Sequence, residues 1–125
     1  MREGYSLNPN YVHTITIYHN DSGIWKRTVY RNCFWKSETN IIQNGTDATK
    51  MSTYTVRIPL EVAGAGFLAS PGDIVIHNEC MDEIADKSPN TVAQVLQKHK
   101  PEAFRVKTYS DNTSHQMAKH YRLGG

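Results

Sequence analysis

Six histidines and two cysteines are the side chains of this chain best suited to hold a metal or move a proton, and their spacing decides what they could do. His13 and His19 fall on the same face of a strand-like run, but the extended chain between them spans about 20 Å, too far to share one ion. His77, Glu79 and Cys80 offer ligands at close spacing, yet no second pair at metal-site spacing accompanies them. His115 and His120 lie in a segment whose conformation the sequence leaves open. A nucleophilic Cys33 would need a base and an electropositive setting, whereas its neighbours are Phe34 and Trp35, so a buried thiol is expected. Asp82 and Glu83 are adjacent and would point to opposite faces of a strand, which makes no catalytic dyad. Gly64-Ala65-Gly66 is too short for a phosphate loop and lacks the Lys and Ser/Thr such a loop needs. The expectation is no catalytic residue, no metal ligand set and no cofactor.

A second constellation mixes rings with cations: Trp25-Lys26-Arg27, Tyr30-Arg31 and Trp35-Lys36. Stacking rings beside cations serve single-stranded nucleic acid. Strand alternation puts Trp25, Arg27 and Arg31 on one face together with Cys33. An aromatic ring with two arginines is a composition enriched where protein subunits meet, so these three are the candidate subunit interface.

The elements that must position these residues read mostly as strands. Val12 to His19 alternates, Asn20-Asp21-Ser22-Gly23 tolerates left-handed dihedrals, and Ile24 to Trp35 alternates again, which predicts an antiparallel hairpin. Residues 36–51 are polar and aperiodic around Asn44-Gly45, and are expected to be a long loop without regular structure. Tyr54–Leu60, Asp73–His77, Phe104–Tyr109 and His120–Leu123 read as further strands, with Ser110-Asp111-Asn112 as a turn. Ser88 as cap, Pro89 at the first helical position and Val92, Val95 and Leu96 at helical spacing predict one short helix over Ser88–Lys98. The fold class expected is mainly β: a small barrel or sandwich of about six or seven strands with that helix across an open end.

At 125 residues the chain is read as one domain, 1–125, with a flexible N-terminal arm at 1–10. Hydrophobic residues at 38% suit a packed core, and a net charge of +2 is too small to argue for nucleic-acid binding by bulk electrostatics. No apolar run reaches membrane-spanning length, and Met1–Pro9 lacks the apolar core of a signal peptide. Two cysteines without an export signal read as free thiols.

Several short stretches, in this order and spacing, carry a resemblance: Tyr18-His19, Trp25 to Val29, Tyr54 to Pro59, Pro71 to Val75, Ser110 to Asn112 and His120 to Gly124. Together they resemble a family of small head–tail connector proteins (stopper-like, neck or minor capsid) from tailed phages and prophages of Gram-positive bacteria. The resemblance implies a structural, non-enzymatic β-barrel that forms a hexameric or dodecameric ring in the virion neck after synthesis in the host cytoplasm. It implies portal and adaptor proteins on the head side, a tail terminator or tail tube on the tail side, and non-specific contact with packaged DNA. A loop projecting into the channel is common in that class; by position it corresponds to Thr39, Asn40, Ile41, Ile42, Gln43, Asn44 and Gly45. The helix and the histidine-rich C-terminus have no counterpart in the stopper pattern. Tail terminator, adaptor and minor capsid protein of the same particle are the alternatives, and a small ligand- or nucleic-acid-binding barrel is a third reading.

Overall fold

The alternating residues at the start of the chain form the expected hairpin. Strand β1 (His13–Asp21) runs antiparallel to β2 (Ile24–Asn44), closed by Ser22 and Gly23 with φ of 54° and 92°. Two positive φ values in a two-residue loop match the right-handed twist of the strands it joins. The computed structural model describes residues 11–64, 67–85, 90–114 and 119–125; the arm expected at 1–10 lies outside them.

Seven strands make one curled antiparallel sheet, a half-barrel, so the protein is mainly β. The remaining strands are β3 (Asp47–Pro59), β4 (Ile74–His77), β5 (Ala103–Arg105), β6 (Thr108–Asn112) and β7 (His120–Gly124). The order across the sheet is β5-β4-β1-β2-β3-β7-β6. Phe104–Tyr109 is therefore two strands rather than one. Val106 interrupts it, because its N–H donates to Asp73 and its carbonyl accepts from Gly72, taking the chain from one end of the sheet to the other. Ser110–Asn112 belongs to β6 rather than to a turn.

The concave side holds the larger core, with Ile15, Ile17, Cys33, Trp35, Val56, Ile58, Phe104, Tyr121 and Leu123. A smaller cluster of Tyr18, Ile74, Ile76, Cys80, Val95 and Ala103 occupies the opposite face. Burial on both faces explains the unbroken apolar run Ile74-Val75-Ile76 in β4. One irregularity redirects β2. His13 pairs with Cys33 but Ile15 with Tyr30, so β2 carries one extra residue there, next to Asn32 at φ 59°. The bulge moves Cys33 and Trp35 into the concave core, away from the face that simple alternation gave Cys33.

Two helical pieces complete the fold. Leu60–Ala63 forms a single turn, α1, directly after Pro59 ends β3. Helix α2 covers Val92–His99, starting later than the expected Ser88 because Thr91 and Gln94 form a capping box. Ser88 and Pro89 lie outside the described residues.

The largest departure from expectation is 36–51. It is no loop: Phe34 to Asn44 pairs in continuous register with Asp47 to Arg57. Its tip is Gly45-Thr46, with Gly45 at φ 62°. Periodicity misses such a ribbon because both its faces meet solvent, so no apolar residue is needed at any second position. The signal available was Asn44-Gly45 flanked by the β-branched Thr39, Ile41, Ile42, Thr46 and Thr49.

Candidate functional site: a projecting ribbon and a partly buried cysteine–aspartate–histidine cluster

The outer part of the β2–β3 hairpin stands apart from the rest of the sheet. The β1 partner of β2 ends at Cys33, and β7 begins pairing with β3 at Thr55. Gly125 still exchanges backbone hydrogen bonds with Tyr54, so from Glu38–Thr53 out to Asn44–Asp47 the ribbon has only two strands, and at the usual rise it extends roughly 20 Å. Lys36 to Ile41, Gly45 to Ala48 and Met51 to Thr53 are exposed, with Ile41 and Met51 at 65% and 50% exposure. All seven residues named for a channel loop lie on its β2 side or at its tip. Both outer edges carry backbone groups that no strand takes up among the described residues, which makes them templates for another chain.

Trp25, Arg27 and Arg31 do share a face, but a segment of the same chain lies against it. Trp25 packs on the smaller cluster. Arg27 Nε donates to the Cys80 carbonyl and its Nη2 lies 3.1 Å from Met81 Sδ. Arg31 donates to Glu79 at 3.1 Å.

That segment also builds a cluster no sequence spacing announced. Asn78, at φ 75°, turns the chain out of β4, and Thr16 Oγ1 then accepts from Cys80 N at 2.8 Å. Tyr18 donates its hydroxyl to the Asp82 carbonyl at 2.5 Å and lies 3.3 Å from Cys80 Sγ. His99, in the last turn of α2, brings Nε2 to 3.4 Å from Cys80 Sγ and 2.8 Å from Asp82 Oδ2. The three ligand atoms all lie within 4.8 Å of one another. Cys80 is buried, while His99 and Asp82 keep about a quarter of their side chains exposed. Hydrogen bonds from His99 and then Lys98 hold the Asp82 carboxyl below the usual carboxylate range. Burial, with Cys80 beside it, pushes the Tyr18 phenol far up, so it stays protonated. His99 is nineteen residues from Cys80, and that separation hid the cluster.

Other histidines have occupations in the fold. His19 pairs with the buried Asp73 at 2.7 Å, and Asp73 also accepts the N–H groups of Ser70 and Asn20. His77 stacks on Trp35 at 4.8 Å and bonds Glu102, while His13 accepts from Trp35 N. His115 lies outside the described residues. Cys33 is fully buried, which pushes its thiol up to about 12 and makes it a poor nucleophile.

At the root of the ribbon is a groove of about 380 Å³ where Tyr54 and Phe104 stack at 4.9 Å. Lys100, Arg105 and Lys107 line it as well, all three exposed.

Residues 11–125 match a family model described as a family of unknown function, DUF6751, and the chain belongs to that family. No curated protein and no solved structure matches it.

Proposed function

We propose that this DUF6751 member is a structural subunit of a phage neck, a stopper-like head–tail connector. In this reading it forms a ring below the portal and adaptor, retains packaged DNA and offers the tail its attachment surface. It works by filling space and making contacts, with no chemical step. The observation that carries the reading is the ribbon. A free two-stranded ribbon in water is marginal, and one with open edges and an exposed Ile41 and Met51 gains its stability from a neighbour. The basic groove at its root supports a second part of the reading, because three cations beside stacked rings suit non-specific contact with DNA phosphates. Trp25, Arg27 and Arg31 are weaker candidates for the subunit contact, since their own chain already engages them.

The test is to shorten the ribbon without disturbing the body. Replacing residues 39–52 by Asn-Gly closes it on the pair Glu38–Thr53, which has the same hydrogen-bonding phase as the natural closing pair Asn44–Asp47. The variant is expected to fold, while particles carrying it lose DNA or fail to join tails. Full infectivity with a shortened ribbon would overturn the assignment. A tail terminator, an adaptor or a minor capsid protein would use the same ribbon against a different neighbour. Recovery of the chain on heads that carry both portal and adaptor, and its loss from portals stripped of the adaptor, distinguishes the stopper from these.

A further inference from the structure

We propose that Cys80, Asp82 and His99 bind a divalent transition-metal ion, Zn²⁺ by the chemistry of the donors, and that the ion fastens α2 to the outer face of the sheet. One ring nitrogen has to serve two contacts. His99 Nε2 faces both Asp82 Oδ2 at 2.8 Å and Cys80 Sγ at 3.4 Å. A neutral imidazole has one proton or one lone pair at that nitrogen, so it can satisfy one neighbour and not both. The Tyr18 hydroxyl, also near Sγ, already donates to the Asp82 carbonyl. A single cation in the middle accepts the imidazole lone pair, the thiolate and the carboxylate at once.

The dimensions agree with this. Tetrahedral zinc with sulfur, nitrogen and oxygen ligands at their usual bond lengths has ligand–ligand edges of about 3.4–3.6 Å. The sulfur–nitrogen edge is already 3.4 Å; the nitrogen–oxygen edge of 2.8 Å needs to open by about half an ångström, and the sulfur–oxygen edge, within 4.8 Å, has to settle at about 3.6 Å, both by a swing of the Asp82 carboxylate. Asp82 can make that move, because it is partly exposed and its other oxygen, Oδ1, keeps Lys98 at 3.3 Å. The donors select the ion: a thiolate with an imidazole suits zinc or cobalt, whereas calcium and magnesium require oxygen ligands. A position in the last turn of α2 adds the favourable end of the helix dipole for a cation. Three protein ligands leave the fourth position to water on the exposed side, where Met81 is 74% exposed.

The site is preorganised by β1. Thr16 pins Cys80 through its backbone, Tyr18 pins Asp82 through its carbonyl, and both belong to β1. Residues 79–85 have no regular structure, so a metal bridge there replaces missing backbone pairing.

The test loads the full chain with Co²⁺ and Zn²⁺ after reduction. One equivalent per chain should bind, and the cobalt form should show a thiolate-to-metal charge-transfer band with visible bands of tetrahedral intensity. Cys80→Ser should abolish the charge-transfer band, while Cys33→Ser should keep it. Asp82→Asn and His99→Gln should each weaken binding by at least about tenfold, the loss seen even for outer partners of a metal site. Zinc should raise the thermal midpoint of the wild type and not of Cys80→Ser. Circular dichroism establishes that each variant is folded, and Cys80→Ala serves if the serine variant is not. Absence of the charge-transfer band in the folded wild type, or its persistence in a folded Cys80 variant, would overturn the proposal. Cobalt bound only by other histidines gives no thiolate band and counts against it equally.

Discussion

Cys33 shows how completely a side chain's chemistry follows from where the backbone takes it. The sequence places it beside two aromatic residues, and the bulge at Asn32 turns it inward to a site with no exposure. Burial then favours the neutral thiol, from 9.0 up to about 12. The folded state holds this proton where the unfolded chain releases it. Its contribution is therefore fully present below pH 9 and is lost as pH rises from 9 towards about 12. Urea unfolding at increasing pH checks this: the stability advantage of wild type over Cys33→Ala should shrink above pH 9, not grow. In the native protein the thiol should also resist alkylation at neutral pH and react on unfolding. Asp73 is the contrasting case, a buried carboxylate that keeps partners on each side in His19, Ser70 and Asn20. Burial costs a polar group little when its hydrogen bonds are made.

Among the elements, β2 does two jobs along one strand. Its first half pairs with β1 as far as Cys33, and its second half pairs with β3 from Phe34 onward and leaves the body as one side of the ribbon. Between them the bulge resets which residues face inward. Helix α2 is short, so its ends matter more than its propensity. Thr91 accepts from Gln94 N, and the Gln94 side chain accepts in return from Thr91 N. Replacing Thr91 by Ala should lower the unfolding free energy by about 1 kcal/mol, and Thr91→Ser should recover most of it. Denaturant titration measures both. A full loss of structure in the alanine variant would mean that the outer cluster depends on the cap more than on Val95 and its neighbours.

For the molecule as a whole, a net charge of +2 conceals an uneven distribution. Lys100, Arg105 and Lys107 come from the end of α2, from β5 and from the link to β6, and meet in one groove. Changing all three to Glu should weaken binding to duplex DNA and reduce the dependence of log K on log salt by about 2–3 units. Fluorescence anisotropy across a salt series measures it. An unchanged slope would mean that the groove does not meet phosphates, and the neck reading would then rest on the ribbon alone.

Local chemistry was enough to fix much of this protein in advance. Alternating β-branched and aromatic residues determined most strands, Asn20 to Gly23 determined the first turn, and the mainly β class followed. These features depend on neighbours in sequence, where dihedral preference and side-chain period act directly. Three features depended on tertiary structure. The ribbon at 36–51 has water on both faces, so it leaves no apolar period, and its pairing became visible only in register. The inward turn of Cys33 depends on one extra residue opposite β1, which alternation cannot count. The Cys80–Asp82–His99 cluster needs β4 to release the chain at Asn78 and α2 to return nineteen residues later with its last turn facing it. Sequence determines what each of those side chains can bind; only the packing of α2 across the sheet decides that they meet.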